Sequence, residues 1–136
     1  MDRTIVKIFK SLADETRLQM LIFLTKVDEL CVCDFVEILK ISQSKASRHL
    51  RYLANAGLVL DRKTAVWVYY RLDPNPGREQ SLILETVKKI LTAEQECEIV
   101  KMLKKRAESK KSQVCETPLK KTTQKKHSIM RKAKSK

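Results

Sequence analysis

Apolar positions follow a helical period over most of the chain and switch to a period of two only once. Ile5, Ile8, Phe9 and Leu12 predict a first helix. Asp14 is a suitable N-cap for a second, whose inner face is Leu18, Leu21 and Ile22. Residues 33–39 read as a short third helix, with Phe35, Val36, Ile38 and Leu39 apolar. Lys40, Ile41 and Ser42 form a turn, and Ser42 can cap a fourth helix over residues 43–54. There Ala46, Leu50, Leu53 and Ala54 make one buried stripe. Gly57 follows, where a left-handed residue closes a helix.

The period then shortens. Val66, Val68, Tyr70 and Leu72 alternate with Ala65, Trp67, Tyr69 and Arg71, and residues 58–60 supply a short partner strand, so a β-hairpin is expected. Asp73, Pro74, Asn75, Pro76 and Gly77 break the chain. Residues 78–106 are helical again, with one stripe on Leu84, Val87, Ile90 and Leu91 and another on Ile99, Val100, Met102 and Leu103. Thr92 and Gln95 between them fit a capping box, which leaves one bent helix or two. The expected class is mainly α with a small β-hairpin (α+β). Residues 1–106 form the folded unit, and 107–136 a basic tail expected to be disordered.

Charge sharpens that division. The 136-residue chain carries +13, but residues 104–136 hold thirteen Lys and Arg against two acids, which leaves only +2 on the rest. Such a tail attracts any polyanion and carries no sequence-reading information. The chain has no signal-peptide pattern at its start and no apolar run of membrane-spanning length, so a cytoplasmic protein without membrane contact is expected. Its four cysteines, Cys31, Cys33, Cys97 and Cys115, would then stay reduced, free for metal or redox chemistry.

Helix, short turn and helix across residues 33–54 have the layout of a helix-turn-helix, whose second helix enters the major groove of DNA. Its exposed face offers Gln43, Ser44, Lys45, Ser47, Arg48 and Arg51. Gln can pair with adenine and Arg with guanine, which puts Gln43, Ser44 and Arg48 near bases, and Ser47 and Arg51 near phosphates. Arg62 and Lys63 of the hairpin suit a flanking phosphate or the minor groove. His49 reads as a partly packed structural residue. No Gly-rich phosphate loop, catalytic carboxylate pair or base beside a nucleophile is visible, so no enzyme is expected.

Four stretches, in order, resemble the ArsR/SmtB family of metalloregulatory repressors, and within it the arsenic-responsive branch. They are Leu12-Ala13-Asp14-Glu15-Thr16-Arg17-Leu18, Glu29-Leu30-Cys31-Val32-Cys33-Asp34-Phe35, Ile41-Ser42-Gln43-Ser44-Lys45-Ala46-Ser47-Arg48-His49-Leu50 and Trp67-Val68-Tyr69-Tyr70-Arg71-Leu72. The resemblance spans roughly residues 5–105. It implies a winged helix-turn-helix that dimerises with a second copy through its first and last helices, here Ile5, Ile8, Leu84, Val87 and Leu91. It also implies a repressor that holds double-stranded operator DNA when free and leaves it when a metalloid binds, with no cofactor required. Arsenic-responsive members carry a third cysteine three positions after the second; here that position is Val36. Their wing tip commonly contains glycine, and residues 61–65 have none.

Trivalent arsenic is thiophilic. The inducer is expected to be arsenite, antimonite or a trivalent organoarsenical, on Cys31 and Cys33. Either Cys97 or Cys115 adds a third thiolate, or a two-thiolate site favours methylated or aryl arsenicals. Residues i and i+2 point apart on a regular helix, so a ligand shared by Cys31 and Cys33 is expected to distort the start of the third helix. Zinc or nickel is disfavoured, because His49 and His127 lie off the last helix. Two other readings use the same residues: a repressor released by oxidation of the cysteine pair, or an architectural DNA-binding protein dominated by its tail.

Overall fold

The computed structural model describes residues 3–116, with side chains from 3 to 111. Six helices and three strands follow one another as α1 (Arg3–Leu12), α2 (Glu15–Lys26), β1 (Leu30–Cys31), α3 (Val32–Leu39), α4 (Gln43–Asn55), β2 (Val59–Thr64), β3 (Trp67–Leu72), α5 (Arg78–Ile90) and α6 (Ala93–Glu116). Each start expected from a polar cap is in place. Asp14 accepts from the Arg17 amide at 3.0 Å and Ser42 from the Lys45 amide at 3.1 Å. Thr92 and Gln95 cap one another reciprocally, which settles the long helical stretch as two helices.

The core gathers the apolar stripes of α2, α3 and α4 against the sheet. Met20, Leu21, Phe35, Leu50, Leu53, Leu58 and Val59 are fully buried, and Phe23 stacks on Phe35 with ring centroids 6.4 Å apart. Emptying such a position, as in Leu50→Ala, removes about 2–5 kcal/mol. At the end of α4, Gly57 sits at φ 80°, where a Cβ would also come within 2.7 Å of the Gln80 amide nitrogen. That amide in turn donates to the Ala56 carbonyl at 3.1 Å, so the helix end is stitched to α5.

The sheet differs from the expected hairpin in two ways. It has three strands in the order β1-β3-β2, because Leu30 and Cys31 pair antiparallel with Tyr70 and Tyr69. The β2 strand also runs on to Thr64, paired with Trp67, and turns through Ala65 and Val66 alone. Of these two only Ala65 has positive φ (54°). The hairpin thus closes tightly without glycine, at a cost of about 1–2 kcal/mol for a left-handed alanine.

A third difference lies in α6, which continues past the boundary expected at residue 106 to Glu116. Arg106 and Lys110 of this helix bond to Asp34 of α3, and that contact offsets what composition alone suggested. Residues 117–136 of the expected tail lie outside the described residues.

Candidate functional site

Cys31 is the N-cap of α3, with extended backbone (φ −76°, ψ 154°), and Cys33 lies in the first turn. The pair therefore straddles the helix boundary. The Cys33 amide points to the Cys31 sulfur at 3.4 Å, and the two sulfurs are 2.8 Å apart. The expectation that a shared ligand must distort the helix is corrected here: Cys31 precedes the helix, and an extended residue followed by a helical one brings the i and i+2 side chains to the same side.

Asp34 completes the cap and is the centre of the site. Its Oδ2 accepts from the Cys31 amide at 2.8 Å, closing a capping box. Its side chain is 3% exposed, and such a charge needs partners. They come from α6. Arg106 Nε donates to Oδ1 at 2.9 Å and Lys110 Nζ to Oδ2 at 2.8 Å. Arg106 also extends Nη2 to within 3.9 Å of the Cys33 sulfur. Tyr69, opposite Cys31 in the sheet, receives Arg62 on its ring at 4.6 Å and Lys110 at 5.9 Å.

These contacts separate the two thiols electrostatically. The hydrogen bond between the sulfurs pulls Cys33 down to about 6, against burial and the charge of Asp34, with help from Lys110 and Arg106. The same hydrogen bond, together with burial, pushes Cys31 up. The shifts thus favour the thiolate on Cys33 over that on Cys31. Burial and then the two sulfurs also push Tyr69 up to about 12.

Cys97 is not brought to this pair. It is exposed on α6, nine residues before Arg106, or about 13 Å along the helix at 1.5 Å per residue. The Cys115 side chain lies outside the described residues. Among the described residues no group of three or more Cys, His, Asp or Glu side chains gathers in metal-binding geometry. Val36, where the resemblance would place a third cysteine, packs against the core.

The second candidate surface is α4. Its apolar side, Ala46, Leu50 and Leu53, is fully buried, while Gln43, Ser44, Lys45, Arg48 and Arg51 are exposed and Ser47 is half-buried. His49 is half-buried with its Nδ1 3.3 Å from Arg17 Nη1, and burial, then the neighbouring cations, hold its pKa down. Arg17 also donates to the carbonyls of Ser11 (2.7 Å) and Lys10 (3.1 Å) and lies over the Tyr52 ring at 4.0 Å. It fixes α4 to the end of α1.

Two expectations shift. Arg62 is committed elsewhere: Nε and Nη2 hold the Glu29 carboxylate at 3.0 and 2.7 Å, and Nη1 donates to Thr64 at 2.7 Å. Lys63 stays exposed. Ile8, Leu84 and Val87, expected at a dimer interface, are buried within their own chain, and Leu91 packs on the core. Ile5 is 37% exposed; with it, Val6, Phe9, Leu82 and Ile90 are the apolar side chains α1 and α5 leave uncovered.

Asp34, Arg106 and Lys110 were the functional residues missed. The S/T/D-type signal three residues after Cys31 was readable as a cap, but two cations in a Lys-rich stretch carry no mark of their partner.

Comparison with known proteins agrees with this architecture. The family described as "Bacterial regulatory protein, arsR family" matches residues 14–60. The arsenical resistance operon repressor of Escherichia coli K12 is 53% identical over 70 residues, which is 52% of this chain and 60% of that protein. Across the first three curated relatives the match covers only 52% to 60% of their length. Among solved structures, HlyU from Vibrio cholerae is 35% identical with a TM-score of 0.55, over 65% of this chain and 91% of that one. The homodimeric winged helix-turn-helix DNA-binding domain Mb0332 from Mycobacterium bovis is 25% identical with a TM-score of 0.53, over 65% and 78%. These relatives are regulators rather than enzymes, and among the described residues no helix is long and apolar enough to cross a membrane. With its helix-turn-helix, its three-stranded wing and these relatives, the chain belongs to the arsR family of bacterial regulatory proteins.

Proposed function

We propose that this chain is a cytoplasmic repressor that binds operator DNA as a homodimer and releases it when trivalent arsenic or antimony binds Cys31 and Cys33. The observation that carries the reading is the pair of sulfurs 2.8 Å apart at the start of α3, the first helix of the DNA-reading motif. A two-thiol chelate there replaces the contact between the sulfurs at the N-cap of the helix that packs directly against α4. The arsenical resistance operon repressor of E. coli, 53% identical over 70 residues, supports the choice of inducer.

On DNA, Gln43, Ser44 and Arg48 face base edges, while Lys45, Ser47 and Arg51 approach phosphates near the N-terminus of α4. Lys63 extends from the wing toward a neighbouring phosphate. Ile5, Val6 and Phe9 of α1, with Leu82 and Ile90 of α5, are the surface a second copy would cover. A two-fold dimer then calls for an inverted-repeat operator. No resident cofactor takes part.

Fluorescence anisotropy of a labelled promoter fragment tests this. Reduced protein is expected to bind it and to leave on addition of arsenite or antimonite, but not of zinc. Release by peroxide alone would replace the metalloid with thiol oxidation as the signal. A Cys31→Ser, Cys33→Ser double variant that still lets go at the same arsenite concentration would sink the assignment of the site.

A further inference from the structure

Two thiols satisfy only two of the three valences of arsenous acid. Each thiol that displaces an As–OH forms one As–S bond and releases one water, without change of oxidation state. Two such steps leave a single hydroxyl on the arsenic. The question is what this chain offers that third position.

Among the described residues no third sulfur stands at the level of the pair. Cys97 and Cys115 each lie nine residues from Arg106 on α6, about 13 Å along the helix in opposite directions. What stands at the pair instead is a guanidinium. Arg106 is fixed by its Nε bond to the buried Asp34 and aims Nη2 at the Cys33 sulfur, 3.9 Å away. A hydroxyl on an atom bound to that sulfur falls within reach of this N–H.

We propose that Arg106 takes the place of the third thiolate, donating a hydrogen bond to the hydroxyl that arsenite keeps after Cys31 and Cys33 have bound it. Arg106 is then a specificity-determining residue. It favours ligands that retain an oxygen, arsenite and antimonite, over arsenicals whose third substituent is carbon. Lys110 holds Asp34 from the same helix and acts only as a positioning residue. This inference rests on the metalloid reading above.

X-ray absorption at the arsenic edge of the wild-type protein and of Cys115→Ser tests it first. The expected result in both is two sulfur neighbours and one oxygen. Three sulfurs in either would overturn it, whether the third comes from the same chain or a partner. Calorimetric titration then separates specificity from mere packing. Arg106→Met should weaken arsenite binding about tenfold more than it weakens phenylarsine oxide, the size of one charge-assisted hydrogen bond. Lys110→Met should leave the ratio of the two affinities unchanged, and Arg106→Lys should restore part of it. Equal losses for both ligands in Arg106→Met would reduce Arg106 to a structural role and overturn the proposal. Arsenic bound through two sulfurs and an oxygen without release of DNA would leave this inference standing and remove the repressor reading. Absence of bound arsenic would remove both.

Discussion

The two helices of the reading motif spend their polar groups in opposite ways. At the start of α3 each is committed: Asp34 holds the Cys31 amide, Arg106 and Lys110, and the two sulfurs hold each other. Along α4 the polar side chains Gln43, Lys45, Arg48 and Arg51 point outward over a fully buried apolar stripe. A surface that must meet DNA keeps its donors uncommitted. The site proposed to bind a small ligand is built into the fold, in contact with α6 and next to the helix that packs on α4. The contrast implies that substitutions at α3 are read as stability and those on α4 as affinity.

The largest effect should come from Asp34→Ala. Removing it leaves Arg106, 8% exposed, without its carboxylate and opens the cap of α3. Loss of one partner of a buried pair costs about 3–5 kcal/mol. Urea unfolding measures it; a loss under about 1 kcal/mol, the value of an exposed pair, would erase the contrast. Next is Arg48→Ala, expected to leave the urea midpoint within about 0.5 kcal/mol of wild type. It should weaken operator binding by about 1–3 kcal/mol and relax preference at one base pair. A destabilised variant with unchanged DNA affinity would reverse the roles of the two helices.

Much of the reading helix was legible in the sequence because its signals are local. The Ser42 cap, the Ala46, Leu50 and Leu53 stripe and the left-handed Gly57 lie within one element. The break at Thr92 was legible for the same reason. The sensor end was legible only in part. Cys31 and Cys33 stood out by type, but β1 is two residues long and exists through its pairing with Tyr69 and Tyr70. Glu29 meets Arg62 across 33 positions, and Asp34 meets Lys110 across 76. No periodicity encodes such partners; tertiary packing selects them. Lys110 was assigned to a tail by composition, and the buried carboxylate it satisfies is what makes it part of the folded unit.

The sensor end should also reveal itself by reactivity. In a Cys97→Ser, Cys115→Ser background only the pair remains. A lowered pKa keeps Cys33 ionised to lower pH, so its alkylation by iodoacetamide should fall off as pH drops through about 6. An ordinary thiol would lose reactivity already through about 8.5. Lys110→Met removes a cation that holds the value down and should move the midpoint upward. A midpoint near 8.5 in the parent would mean that the hydrogen bond between the sulfurs does not hold the Cys33 thiolate.

The smallest effect sharpens the contrast within the wing, where one arginine is committed and its neighbouring lysine is not. Arg62 has three nitrogens on Glu29 and Thr64 and its guanidinium over Tyr69, whereas Lys63 is exposed. Each phosphate neutralised contributes about one to the slope of log affinity against log salt. Lys63→Ala should therefore lower that slope by about one and weaken binding evenly across sequences. Arg62→Ala should leave the slope where it was and instead loosen the link between the wing and Glu29, seen as a lower urea midpoint. If the two substitutions exchanged these effects, Arg62 would have to leave Glu29 when DNA arrives. The wing would then belong with α4, among the surfaces that change partners on binding, and not with the fixed frame around the thiols.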